Sequence, residues 1–210
     1  MVRLTREQSR ALTKAKLLAS ARELVARDGY ENASVDRIAE EAGFSKGAFY
    51  HNYASKEEIF LELLETHANQ DVEEISGILQ GVTDPEDMIT MISNWSAERA
   101  KDPSWGMLAL ELFRHARREA TFGERHATLF RGQWRGLGEI LLTMFPEDAP
   151  PAGPEALGGI VFELTYGAAS SFTEGPSVGE LVRLALTALH TAYGKKKSRA
   201  RKQAVSAVRS

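Results

Sequence analysis

Residues 34–53 read SVDRIAEEAGFSKGAFYHNY. The order of residue types predicts two short helices joined by a tight turn. Ser34 is placed to N-cap the first, since its hydroxyl can accept from the free N–H groups of the opening turn. Asp36 follows where a negative charge suits the helix dipole. Ile38, Ala39 and Ala42 make an apolar stripe about two turns long. Gly43 supplies a left-handed residue that ends the helix, Phe44 turns into the core, and Ser45 caps the next helix. That second helix, Lys46 to about His51, is poor in core residues: Lys46, Gly47, Tyr50 and His51 make a short surface of donors and flat rings. A glycine inside a helix costs about 1 kcal/mol relative to alanine, so something outside the helix needs the missing side chain. A DNA backbone or a thymine methyl pressed against the helix supplies that need. The spacing predicts a helix-turn-helix with a recognition helix.

The longer pattern GFSKGAFYHNYASKEEIF, residues 43–60, resembles the signature of TetR-type transcriptional regulators. The turn, the S-K-G opening, the aromatic-rich helix and the following S-K-E recur at fixed spacing, and the likeness runs from about Ala11 to Asp71. Tyr53 departs from it, standing where the family usually has phenylalanine. The resemblance implies an all-α protein. Residues 11–71 are then a three-helix DNA-binding domain, residues 72–194 a helical bundle for effector binding and dimerisation, and residues 195–210 a basic tail.

Composition agrees with a folded regulator. The chain has 210 residues and 43% apolar content, enough for one or two domains with a real core. It contains no cysteine, which removes disulfides and thiolate metal sites and permits a reducing compartment. The N-terminus MVRLTREQSR lacks the apolar core of a signal peptide, and no apolar run approaches the roughly 20 residues that span a bilayer. A soluble, cytoplasmic protein without a membrane partner is expected. Charge is divided unevenly. Residues 1–27 carry seven Lys/Arg against two Glu, residues 61–193 nine Lys/Arg against twenty Asp/Glu, and residues 194–210 seven Lys/Arg and no acid. Basic ends around an acidic middle suggest one nucleic-acid face on a body that repels DNA elsewhere.

Outward from the motif, residues 1–10 form a polar arm with Arg3, Arg6 and Arg10, either frayed or following phosphates. A helix from about Ser9 to Arg27 carries Leu17, Ala21, Leu24 and Val25 on one face, and Gly29 with Tyr30 ends it. Ser55-Lys56-Glu57-Glu58 is a capping box for a long helix reaching about Gln80, a rod with a foot in each domain. Further helices are expected at Pro85 to Ala100, Pro103 to about Arg118, and Thr121 to Phe145. After a proline-rich loop, two more run from Glu155 to Phe172 and from Ser177 to Tyr193. The final KKKSRARKQAVSAVRS reads as a solvated, disordered tail that adds sequence-independent DNA affinity.

In the body, large side chains at helical spacing, taken alone, are more often core than a ligand site. The TetR resemblance implies instead that some line a small-molecule cavity, with Trp95, Phe113, Trp134, Phe162 and Tyr166 as the candidates. Arg117, Arg118 and Arg125 either bind a carboxylate effector or form a solvated face. The last two helices read as a dimer interface: Gly159 and Ala169 allow close backbone approach, and Leu181, Leu184 and Ala188 continue an apolar stripe. The alternative is packing within one chain.

Enzyme readings find little. No two of His51, His67, His115, His126 and His190 have the i, i+4 spacing of a helical metal pair. Glycine-rich phosphate loops and a G-x-S-x-G turn are absent. No metal and no cofactor are expected. The DNA face is expected to use Ser34, Val35 and Arg37 at the first motif helix, then Ser45, Lys46, Gly47 and Ala48 in the major groove. Tyr50, His51 and Tyr53 should flank the backbone, with one ring packed inward, and Lys56 should reach a phosphate. The expected partners are an operator duplex, a small, largely apolar effector and a second copy of the chain. A repressor released by its effector fits best; an activator or an architectural DNA binder are the rivals.

Overall fold

The computed structural model describes residues 5–167 and 175–207, with side chains described to residue 194. Nine helices and no strand lie among them: α1 (Arg6–Asn32), α2 (Val35–Glu41), α3 (Lys46–Asn52), α4 (Lys56–Ile78), α5 (Pro85–Arg99), α6 (Ser104–Ala116), α7 (Ala120–Leu142), α8 (Pro154–Tyr166) and α9 (Val178–Ala207). The all-α expectation holds. None of these helices is long and apolar enough to cross a membrane.

Local chemistry explains the boundaries. Asp84 accepts from the N–H groups of Glu86 and Asp87, with Pro85 opening α5 where its missing N–H costs nothing. At α4, Ser55 Oγ accepts from the Glu58 N–H (3.3 Å), and the Glu58 carboxylate reaches back to the Ala54 N–H (2.7 Å). Gly29 lies at φ 76° within α1, so the predicted break is there although a last turn continues beyond it.

Both ends of the chain depart from expectation. Thr5 and Gln8 form a reciprocal capping box, so α1 starts at Arg6, and Arg6 and Arg10 lie on a helix rather than on a free arm. Helix α9 continues to Ala207 instead of stopping near Tyr193. Lys, Arg, Gln and Ala are good helix formers and no proline interrupts them, so a helix already packed at its start propagates.

The chain divides into two compact units. The first comprises the chain up to His67 with Ser104–His126; the second comprises Ala68–Pro103 and the chain from Ala127. The first thus takes in α6, beyond the 11–71 segment. Its core joins Leu17, Ala21 and Leu24 of α1 to Ile38, Phe49, Ile59 and Phe60. Ser20 Oγ donates to the Ile38 carbonyl (3.0 Å), fastening α1 to α2. In the second unit Ile75, Ile89, Ile92, Leu137, Leu141, Leu157, Val161, Val182 and Leu186 form one buried cluster drawn from α4, α5, α7, α8 and α9.

Candidate nucleic-acid interface and ligand site

The α2–turn–α3 segment has the capping that its residue order predicts. Ser34 Oγ accepts from the Arg37 N–H (3.3 Å) and Ser45 Oγ from the Ala48 N–H (3.2 Å). Gly43 takes φ 77°, and the Phe44 N–H returns to the Ala39 carbonyl (2.8 Å), closing α2. Phe49 is the buried anchor of α3. On the opposite side Ser45, Lys46, Gly47, Tyr50 and His51 are exposed, with Tyr50 at 51%. A Cβ added at Gly47 would meet only Ser45 Oγ, at 3.7 Å. The protein's own packing therefore does not require glycine there.

Five predicted contacts are less open than these or are engaged within the head. Tyr53 is 3% exposed, with its ring 5.7 Å from Phe49 and under the Lys14 ammonium (5.4 Å). Burial, and then the neighbouring Glu62, raise its phenol pKa. It is the inward ring, set in the core of the head rather than flanking a backbone. Arg37 is engaged within the head, donating to the Asn32 carbonyl (2.9 Å) and pairing with Asp28. Lys56 lies 4.0 Å above the Tyr30 ring and 3.5 Å from the Glu31 carbonyl, and partial burial lowers its pKa. Val35 and Ala48 are half-buried. The residue missed from sequence is Asp36, whose Oδ2 receives the Lys46 ammonium at 2.9 Å. This pairing raises the Lys46 pKa. Ten residues and a turn separate the two, so no helical spacing announced the contact.

In the second unit three of the candidate pocket residues are contiguous. Trp95 meets Phe162 edge-on at 6.0 Å, and Phe162 stacks on Tyr166 at 6.3 Å. The Tyr166 hydroxyl donates to Asp71, which also accepts from Gln133 Nε2 at 3.4 Å and forms an ion pair with Arg99 Nε at 3.1 Å. One buried carboxylate of α4 thus joins α5, α7 and α8. Burial outweighs these partners and lifts the Asp71 pKa to about 6. Trp134 packs instead over Gly159, and the buried indole N–H groups of Trp95 and Trp134 have no hydrogen-bond partner among the described residues. Phe113 does not join the group: it is 50% exposed and sits on α6 in the first unit, 6.3 Å from His126.

The glycines expected at a dimer interface have an intramolecular reason. A Cβ at Gly158 would stand 1.8 Å from the Trp134 carbonyl oxygen, and one at Gly159 3.4 Å from the Trp134 ring. They let α8 approach α7 of the same chain. The α9 stripe differs: Leu184 is 69% exposed, Ala188 is exposed and Leu181 half-buried. Ala169 lies outside the described residues. Among the described residues no group of His, Asp and Glu side chains is arranged to hold a metal ion.

The model of the bacterial regulatory proteins of the tetR family matches residues 17–63, the segment that builds this head. That segment is a TetR-family DNA-binding head. The transcriptional repressor AcnR of Corynebacterium glutamicum is 29% identical over 107 residues, 51% of this chain and 52% of its own. The transcriptional activator FasR of Mycolicibacterium smegmatis is 35% identical over 82 residues, 39% of this chain and 36% of its own. The chain thus spans about half or less of the length of these curated relatives. Among solved structures, GusR of Salmonella enterica superposes with TM-score 0.63 at 18% identity, over 90% of this chain and 98% of its own. FadR of Bacillus subtilis, solved with stearoyl-CoA, gives TM-score 0.62 at 18% identity over 83% and 96%. At such identities the structures extend the TetR fold beyond the head and show no more than the fold.

Proposed function

We propose that this chain is a dimeric, sequence-reading repressor of the TetR family, released by a small, largely apolar effector. The observation that carries the DNA-reading part is the outer face of α3. Lys46, Gly47, Tyr50 and His51 are exposed there, with room for a Cβ at Gly47. A lysine donor reads guanine O6 or N7, and a glycine lets the helix sit close in the major groove. The names of the AcnR relatives favour repression; that of FasR favours an activator as the second reading.

The effector is taken up in the second unit. The Trp95–Phe162–Tyr166 rings supply flat apolar surface, with the Asp71 cluster as a polar end. Ligand entry there displaces α4 and changes the separation of two recognition helices, so both half-sites can no longer be met. Dimerisation uses the outward stripe of α9, Leu181, Leu184 and Ala188.

Selection of bound sites from random duplex DNA at physiological salt tests the DNA-reading part. Enrichment of a palindrome is expected; salt-sensitive binding without an enriched site would instead indicate an architectural protein. Lys46→Ala is expected to weaken binding to the recovered site several-fold to about a hundredfold. Unchanged affinity and sequence preference would remove Lys46 from the reading surface. The recovered site then serves to screen effectors by loss of binding, and a promoter carrying it, assayed with and without the protein, separates repressor from activator.

A further inference from the structure

We infer that Asp36 is a specificity-determining positioning residue: its carboxylate holds the Lys46 ammonium and makes the lysine's contact with DNA conditional on the right base. The inference rests on the proposed DNA-reading role of α3. Its basis is the geometry at the two motif helices. Asp36 is the second residue of α2 and Lys46 the first of α3, and the turn brings their side chains to 2.9 Å. Both are open to solvent, the Lys46 side chain at 55% and that of Asp36 at 66%, so neither is there to fill space. The guanidinium of the nearby Arg37 is engaged by Asp28 and the Asn32 carbonyl, and Arg27 is held by both carboxylate oxygens of Glu41 at 3.1 Å. Asp36 therefore presents a negative charge on the same surface as the reading lysine.

Such a pair has two consequences at a polyanion. A carboxylate repels phosphates, which makes loose, backbone-only docking less favourable. The lysine must also leave Asp36 before it can reach DNA. An exposed pair is weak enough to be exchanged, and a phosphate met at random repays the exchange less well than a base edge offering two acceptors in line. Discrimination arises because the penalty falls on every sequence while the compensation comes from one.

The test uses the full-length chain, a duplex enriched by selection with the wild type, and a shuffled duplex of equal length and composition. Affinities are measured across a salt series for wild type, Asp36→Asn, Lys46→Ala and the double variant. Asparagine keeps the shape at Asp36, and equal thermal midpoints establish that each variant is folded. Asp36→Asn is expected to tighten binding to the shuffled duplex about two- to fivefold while the enriched duplex gains less, so the preference ratio falls. In the Lys46→Ala background the same substitution is expected to leave that ratio unchanged, which a merely structural role of Asp36 would not produce. The inference is overturned if Asp36→Asn changes neither affinity, strengthens both equally, or alters the ratio as much without Lys46 as with it. A wild type with no sequence preference at all would instead defeat the DNA-reading assignment, and this inference with it.

Discussion

Tyr53 and Lys46 lie on one short segment, yet their environments assign them opposite tasks. Tyr53 is clasped by Phe49, Lys14 and Glu62, so Tyr53→Phe removes one buried hydroxyl and no exposed surface. Its unfolding free energy is expected to stay within about 1 kcal/mol of wild type, and its affinity for a selected duplex within about twofold, by denaturant titration and by binding isotherm. Asp71 is a second residue defined by its surroundings. Its folded pKa, about 6, stands above the ordinary carboxylate value of 3.8, so the folded state holds the extra proton between those pH values. The contribution to stability is full below the unfolded value and is lost as pH rises through about 6, by up to ~3 kcal/mol. Asp71→Asn removes this dependence while leaving an acceptor for Tyr166. The stability of the variant relative to wild type is therefore expected to rise from pH 4 to pH 7, as followed by urea midpoints. A difference that stays flat would mean that Asp71 titrates normally.

At the scale of the element, α3 is a helix with one anchored face and one open face. Its glycine can be tested separately for folding and for function. Nothing in the head crowds a Cβ at Gly47, so Gly47→Ala should raise helix stability by up to about 1 kcal/mol while weakening binding to a selected duplex. Parallel thermal and DNA-binding measurements check this pairing. A stabilised variant with unchanged affinity would show that no close approach is made there. Helix α4 spreads its residues over both compact units, and its two ends are held by different chemistry. The Ser55–Glu58 cap is local and legible from four consecutive residues, whereas Asp71 is engaged by residues 28 to 95 positions away.

At the scale of the whole molecule, the two proposed surfaces belong to different units. Lys46 lies in the first unit, and the partly exposed apolar stripe of α9 in the second. Leu184, 69% exposed, is the most open of the three residues proposed for the dimer contact. Leu184→Glu is expected to shift the chain from dimer toward monomer in sedimentation equilibrium and to weaken binding to a palindrome far more than to a single half-site. A variant that sediments as the wild type would place the dimer contact elsewhere.

Sequence alone determined the features that depend on near neighbours along the chain. The N-caps at Ser34 and Ser45, the left-handed Gly43, the apolar stripes and the family signature all arise within a few residues, because capping and helical periodicity are local interactions. At the ends of α1 and α9, which extend past the sequence expectation, the deciding terms are the Thr5–Gln8 box and the propagation of an already packed helix. Tertiary structure alone decided which way each side chain faces. It set Tyr53 inward, tied Arg37 to Asp28, separated Phe113 from Trp95 and Phe162, and turned Gly158 and Gly159 toward Trp134. It also brought Asp36 to Lys46 and gathered Arg99, Gln133 and Tyr166 around Asp71. Those outcomes depend on how helices distant in sequence pack together, and no periodicity within one helix encodes its partner's position.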